Sequence, residues 1–367
     1  MITSDFVVVG GGIAGVAVAA ALADNGSVIL MERETQLAMH ATGRSAAALL
    51  PSYGTPVVQA LTRLSAVLMQ RTEEEDQVRI LRRRPLLRIA SREQSNALAT
   101  LVSSAPSLKS ITTSEAIAMC PALRQDYVYS AAVESEAADV DVMTLYDSYV
   151  RRIISAGSKV LLGHELLAGQ FNKNTWTLDA SEEIINTPVV VNAAGAWCDT
   201  VSVRLGGVAL GLRPKRRTVA VAAKPNIPST WPLTIDAAET FYFRPYQEGV
   251  LISPADETDH HPGDAQADPV DVATALSRVN RATNLNLRSV LRSWAGLRTF
   301  AKDRLPIVGF DPKQPAAFWV SGQGGYGIQA SPGIALLSAS LITGLGPCVL
   351  VDQQDIDVSV LSPSRFS

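Results

Sequence analysis

Gly10, Gly12 and Gly15 stand at GxGxxG spacing, directly after the β-branched run Val7, Val8 and Val9. Such a triplet handles phosphate. The first glycine allows a tight turn, the second lets backbone approach a pyrophosphate, and the third lets a helix pack closely on a strand. A helix opening there offers free N–H groups and a partial positive charge to an anion. An acidic residue about 20 positions on should accept hydrogen bonds from a ribose, and Glu32 stands 22 residues after Gly10. Two more small-residue stretches can bring backbone to the same ligand. Residues 41–47, Ala-Thr-Gly-Arg-Ser-Ala-Ala, would supply N–H donors and the Ser45 hydroxyl, unless they simply start a helix. Residues 191–195, Val-Asn-Ala-Ala-Gly, end a second β-branched run in a small-residue turn. A metal site is not expected. His260 and His261 sit in the acidic, proline-containing loop 256–264, but neighbours in an extended chain point to opposite sides, so the loop reads as surface.

These residues need a β-α-β frame. Residues 13–24 are almost all alanine, valine and leucine, which predicts a buried helix, and Asn25-Gly26 stops it. Residues 55–76 read as a helix ending in an acidic run, and the basic run Arg82, Arg83, Arg84 and Arg88 reads as a solvated face or its partner. Residues 80–138 carry no glycine motif and read as an inserted α+β lobe, with a strand at 85–90 and helices at 91–103 and 113–119. A helix at 143–156, a strand at 159–162 continuing through 163–167, a short ribbon at 176–178 and 183–185, and a strand leading into 191–195 return to the first lobe. Strands at 218–222, 240–245 and 249–254 then predict an antiparallel sheet in the inserted lobe. The chain closes with a strand at 318–321, the glycine turn 322–327 and a buried helix at 332–343. The fold class expected is α/β: a Rossmann-like nucleotide lobe from 1–80, 139–213 and 291–367, and a mainly antiparallel α+β substrate lobe from 81–138 and 214–290.

The 367 residues allow two or three lobes, and 47% apolar with 18% charged residues suits a large core. A net charge of −3 gives no basic excess for nucleic acid. Cys120, Cys198 and Cys348 lie far apart, so neither a disulfide framework nor a zinc site is expected, and a reducing, cytoplasmic location fits. No signal peptide and no membrane span are expected, while peripheral contact with a membrane stays open.

Several long runs together resemble the D-amino-acid oxidase superfamily of flavoproteins, in its glycine oxidase and sarcosine oxidase branch, over essentially the whole chain. They are residues 42–47, 53–56, 191–199, 214–217, 294–298 and 323–329, and they are most similar to D-arginine dehydrogenases. The resemblance implies FAD. Its contacts would come from Gly10, Gly12, Ile13, Ala14, Gly15, Glu32 and Arg33, then from Thr42, Gly43, Arg44, Ser45, Ala46 and Ala47. Further along they would come from Leu166, Ala193, Ala194, Gly195, Trp197 and Gly296, and from Gly324, Gly325, Tyr326, Gly327, Ile328 and Gln329. Arg298 matches the family's carboxylate-binding arginine, a role suited to a guanidinium fork. Arg217 resembles a second arginine near that carboxylate, although Arg216 or Lys215 could be the inward residue. Tyr242 resembles the tyrosine that hydrogen-bonds the carboxylate, and Tyr53 a lid tyrosine. The Gly324–Gly325 backbone resembles the segment that accepts a bond from the substrate amine, with the Pro332 helix aiming its positive end at the flavin.

The departures concern substrate. D-arginine dehydrogenases carry a histidine where this chain has Ala48, and a carboxylate on the strand that here reads Pro85-Leu86-Leu87. A buried guanidinium without a carboxylate is costly. The expected substrate is therefore a D-amino acid with an uncharged or apolar side chain, or a cyclic or N-substituted amine, oxidised at Cα to an imino acid. No cysteine lies between Cys198 and Cys348, so the flavin should be non-covalent. The electron acceptor could be a quinone, a partner protein or oxygen. The alternatives are a flavin subunit of a hetero-oligomeric opine or hydroxyproline dehydrogenase, and a flavin-binding redox sensor without turnover.

Overall fold

A computed structural model describes residues 1–345, 351, 354 and 356–366; Cys348 lies outside the described residues. The valine run forms the strand Phe6–Val9 at the middle of a six-stranded sheet. Across that sheet the order is Lys159–Leu162, Val28–Glu32, Phe6–Val9, Val189–Asn192, Ala317–Ser321 and Ile307–Phe310, and only the last strand is antiparallel. A parallel sheet must be covered on both faces, and the alternation of side chains shows how. Val8, Leu30, Val191 and Phe318 pack toward the helices Ile13–Leu22, Pro56–Asp76, Val142–Ser155 and Gly327–Thr343. Val7, Val9, Ile29 and Met31 pack the other way, against Trp176, Leu178 and Ile185 of a four-stranded sheet.

The second lobe is built on a nine-stranded, largely antiparallel sheet. Its long strands Arg213–Ala223 and Val290–Phe300 pair along their length, and its one parallel pair is Leu86–Ala90 with Leu233–Asp236. The helix Pro269–Ala282 packs on one face, where Leu87, Ile89, Phe243 and Ile252 form a core. The opposite face carries Leu86, Leu233, Ile235 and Tyr242, which meet Leu50 and Tyr53 of the first lobe.

Several expectations shift. The strand Lys159–Leu162 does not continue through 163–167: Gly163 takes φ +72°, the chain turns, and the next strand starts at Ala168. The last helix starts at Gly327, five residues before Pro332, which lies inside it. The local bonding accommodates that proline. Ser331 Oγ donates to the carbonyl of Ile328, and Gly333 N–H donates to Ser65 Oγ at 3.0 Å. Residues 41–44 form turns and 45–47 run irregularly, with no helix start. Val290–Phe300 belongs to the nine-stranded sheet, although the sequence assigns 291–367 to the nucleotide lobe. A short helical turn at Arg92–Gln94 precedes the helix Ser95–Ser104. Among the described residues no helix is long and apolar enough to cross a membrane.

Candidate functional site: a dinucleotide cleft and an arginine-lined cavity

The two small-residue turns are folded onto each other. Gly10 has φ +115°, and a Cβ on it would lie 2.6 Å from the Ala193 carbonyl oxygen. Gly15 sits so close that its Cβ would lie 1.8 Å from the Gly10 oxygen. Ala193 N–H donates to Val9 O at 2.9 Å, which ties the second turn to the first strand. The Ile13–Leu22 helix starts at Gly12 with no side-chain cap, leaving N–H groups of its first turn for an anion. Thr42 Oγ1 takes the Ile13 N–H at 2.9 Å. At the end of the next strand Glu32 accepts from Gly11 N–H at 2.6 Å and from Glu34 N–H at 2.9 Å. Those two bonds fix the carboxylate and leave lone pairs for hydroxyl donors.

A long cleft runs from here to the start of the last helix. It is lined by Gly10, Gly12, Ile13, Ala14, Glu32, Arg33, Thr42, Arg44, Leu166, Ala193, Ala194, Gly195, Trp197, Gly296, Gly324 and Gly327. Arg33 lies 4.2 Å over the Trp197 ring, and the His40 ring packs tilted against it at 4.7 Å. Gln323 Nε2 and His40 Nδ1 are buried without a hydrogen-bond partner, and both residues line the cleft. Orphaned polar atoms, glycine turns where a Cβ would collide, and an oriented ribose-type carboxylate fit a dinucleotide. No cysteine lines the cleft among the described residues. Gly15, Gly43 and Tyr326 line neither cavity. Gly15 supports packing, Gly43 N–H closes a turn onto Ala38 O, and the Tyr326 ring packs edge-on against Tyr53 at 5.3 Å. The sequence reading missed Met31, His40, Thr200 and Ala265, which tertiary folding brings to the cleft without any local motif, and it passed over Gln323 although that residue stands in the glycine turn.

Next to the cleft lies a cavity of about 540 Å³, within the size range of small-molecule sites. Ser45, Ala46, Ala47, Gly325, Ile328 and Gln329 face it rather than the long cleft. The Gln329 amide is engaged elsewhere, donating to Thr62 and accepting from Leu50 N–H. Register explains the arginines. Lys215 stands opposite Arg298 and Arg217 opposite Gly296, so Arg217 and Arg298 are diagonal neighbours on one face. Arg216 points to the other face, toward Asp268 and Asp271, and Lys215 reaches Asp259 at 2.8 Å. Arg217 is therefore the inward residue, 8% exposed, with its Nε donating to Asp256 O at 2.7 Å.

Arg298 is half-buried and lines the cavity with Tyr53 and Tyr242. A Cβ on Gly325 would sit 2.8 Å from its Nη1, so a larger residue there would push the guanidinium aside. Burial pulls the Arg298 pKa down, but the Tyr53 and Tyr242 hydroxyls, with the Glu257 carboxylate farther off, outweigh it and the group ends above its ordinary value. Burial and the nearby Arg298 charge push Arg217 down. No carboxylate among the described residues forms an ion pair with Arg298. Three charged groups absent from the sequence reading also line the cavity: Glu239, Glu257 and Arg304. Glu239 pairs with the buried Arg88 at 2.9 Å, and Glu257 pairs with Arg304 at 2.8 Å. The Leu86–Ala90 strand brings no carboxylate to the cavity among the described residues, and these two arrive from loops.

Comparison with known proteins adds the family. The model of the FAD dependent oxidoreductase family (DAO) matches residues 5–341. FAD-dependent oxidoreductase domain-containing protein 1 of Xenopus laevis is 28% identical over 179 residues, covering 44% of this chain and 36% of that protein. Glycine oxidase of Geobacillus kaustophilus is 26% identical over 237 residues, covering 63% of this chain and 61% of that enzyme. The chain thus matches less than two thirds of the length of these curated relatives. Among solved structures, L-proline dehydrogenase from P. horikoshii has a TM-score of 0.87 at 20% identity and covers 100% of this chain and 98% of its own. Glycine oxidase from G. kaustophilus has a TM-score of 0.86 at 22% identity, with 100% and 99% covered. A family match over nearly the whole chain, on a cleft whose turns and carboxylate suit a dinucleotide, leads to one conclusion: the chain belongs to the DAO family of FAD-dependent oxidoreductases, and its cofactor is FAD.

Proposed function

We propose that this protein oxidises an α-amino or imino acid at Cα, taking its carboxylate on Arg298. The observation that carries the reading is Arg298 itself: a guanidinium with no carboxylate of its own, beside two tyrosines, where the cavity meets the cofactor cleft. A cation held this way asks for an anion from outside. Arg217 and the hydroxyls of Tyr53 and Tyr242 complete the clamp, which orients the substrate. Bound FAD supplies the two-electron acceptor for hydride leaving Cα. The Gly324–Gly325 backbone can hold the substrate amine, and its proton leaves to solvent before the hydride moves. The imino product of a primary amino acid hydrolyses in water to a keto acid and ammonia, and that of an N-substituted or cyclic substrate to a keto acid bearing or releasing the amine.

The side chain would enter the apolar part of the cavity, lined by Ala48, Leu50, Leu233 and Ile235. Glu239 and Glu257 already hold arginines, so neither offers a vacant carboxylate to a substrate guanidinium. An uncharged side chain fits best. The D configuration rests on the resemblance of residues 42–47, 191–199 and 323–329 to D-arginine dehydrogenases.

The test is anaerobic mixing of the FAD-loaded protein with D- and L-amino acids, N-methyl amino acids and proline derivatives, following the oxidised-flavin absorbance. Bleaching by uncharged D-amino or cyclic amino acids is expected, and the rate of colour return in air separates an oxidase from a dehydrogenase. A protein that D-arginine bleaches faster than D-leucine, D-methionine and D-proline contradicts the side-chain reading. A flavin that no amine bleaches overturns the reaction.

A further inference from the structure

Arg217 and Arg304 reach the same oxygen. Arg304 Nη2 lies 2.8 Å from Oε1 of Glu257, and Arg217 Nη2 lies 3.5 Å from it. Arg304 Nη1 takes the second oxygen at 2.9 Å, so the Glu257 carboxylate sits in a two-bond guanidinium fork. That is how an arginine holds a substrate carboxylate. All three side chains line the substrate cavity.

The arrangement is fixed from both sides. Arg217 Nε donates to the carbonyl of Asp256, the residue before Glu257, and Asp256 Oδ1 accepts from Thr218 N–H at 2.7 Å. The peptide carrying Glu257 is thereby locked to the Arg213–Ala223 strand. Arg304 stacks 4.1 Å over the Phe300 ring and has φ +65°, a left-handed conformation that is uncommon outside glycine. Arg304 and Arg217 also hold the Glu257 carboxyl below its ordinary range against the opposing effect of burial, so it is an anion at neutral pH.

We infer that Glu257 is a built-in carboxylate filling a second anion position between Arg217 and Arg304, and that it makes the enzyme reject amino dicarboxylic acids in favour of monocarboxylates. The inference rests on the carboxylate clamp proposed for Arg298. A substrate with one carboxylate binds at Arg298. The second carboxylate of a dicarboxylate would find the neighbouring fork filled by a like charge in a partly buried site, where repulsion is strong.

The test uses the FAD-loaded enzyme and two simple anions, acetate and malonate, with affinity read from the perturbed flavin absorbance. Turnover is not needed. The wild type is expected to bind acetate at least about tenfold more tightly than malonate. Glu257→Gln frees Arg304 for a second carboxylate and is expected to shift that ratio toward malonate by about tenfold or more. Adding Arg304→Met to Glu257→Gln should abolish the gain. Acetate affinity in each variant reports whether the clamp is intact. A wild type that binds malonate as well as acetate overturns the inference, and that comparison needs no variant. A ratio unmoved by Glu257→Gln, with acetate still bound, overturns the inference and leaves the Arg298 clamp standing. If neither anion perturbs the flavin, the clamp and the inference fail together.

Discussion

At the scale of single residues, the cavity's chemistry turns on which charges have partners. Arg217, Arg304 and Arg88 each have a carboxylate, and Arg298 has tyrosines instead. Hydrogen bonds to charged groups contribute about 1.5–3 kcal/mol each. Replacing Arg298 by Met, which keeps bulk and loses the fork, should therefore lower the second-order rate of anaerobic flavin reduction on the order of 10²–10⁴-fold. FAD affinity should be unchanged, and a loss below tenfold would remove Arg298 from the clamp. A second buried charge carries a pH signature. Glu134 is fully buried, and accepts from Ser52 at 2.9 Å and from Ser107. Burial holds its carboxyl above the ordinary value. The folded protein then binds the proton more tightly than the unfolded chain, so stability falls as pH rises from the unfolded pKa through the folded one, and no such cost exists below that window. Glu134→Gln removes the titrating carboxyl. The melting-temperature difference between variant and wild type should move in the variant's favour from pH 4 to pH 7, whatever its offset. A difference that stays flat over that range would show that Glu134 does not titrate there.

At the scale of elements, the strand, glycine turn and helix at the N-terminus form the best-specified unit. Gly12 and Gly15 separate two roles within it. A Cβ at Gly15 collides with the Gly10 carbonyl, whereas a Cβ at Gly12 meets only Thr42 Oγ1 at 3.5 Å, an ordinary contact. Gly15→Ala should lower the melting temperature of the FAD-free protein and abolish FAD loading. Gly12→Ala should leave that melting temperature within a few degrees while weakening FAD, because the ligand's approach is what it obstructs. Equal effects of both substitutions on the FAD-free protein would refute the separation. This unit was legible in the sequence because its signals are local: β-branched residues, glycine spacing and Glu32 at the strand end. The same holds for the helix Thr113–Met119, opened by the Thr112 and Glu115 capping box. Other elements depend on distant partners. Pro332 reads as a helix start by local rules, but the helix runs through it because Ser65 on another helix receives the Gly333 N–H. Val290–Phe300 takes its place from the Arg213–Ala223 strand across the sheet. In the cavity, the family resemblance pointed to Arg298, Arg217 and both tyrosines. Glu239, Glu257 and Arg304 lie in loops with no motif, and Glu239 and Arg304 hold positive φ angles that sequence patterns do not announce.

At the scale of the whole molecule, one short segment joins the two lobes and walls both cavities. Thr42 and Arg44 line the cofactor cleft, and Ser45, Ala46 and Ala47 line the arginine cavity. Arg44 stitches this segment to the nine-stranded lobe. Its guanidinium donates to Ala265 O at 2.9 Å and Ala295 O at 3.3 Å and pairs with Asp264, while Trp294 Nε1–H donates to the Arg44 carbonyl at 2.9 Å. On the other side, Thr42 Oγ1 accepts the Ile13 N–H and so fixes the segment to the first helix. The segment's position is thus set by both lobes at once. Its polar contacts to the second lobe are few enough for a single substitution to matter. Arg44→Ala should weaken FAD binding and acetate binding together, each on the order of tenfold, since two or three bonds of about 0.5–1.5 kcal/mol are lost. Arg298→Met, by contrast, should affect the anion alone. Coupled loss, measured by FAD titration of the apoprotein and acetate titration of the reloaded protein, is what a shared wall requires. Loss of FAD with acetate affinity intact would mean that the two cavities are held independently, and that Arg44 serves only the cofactor.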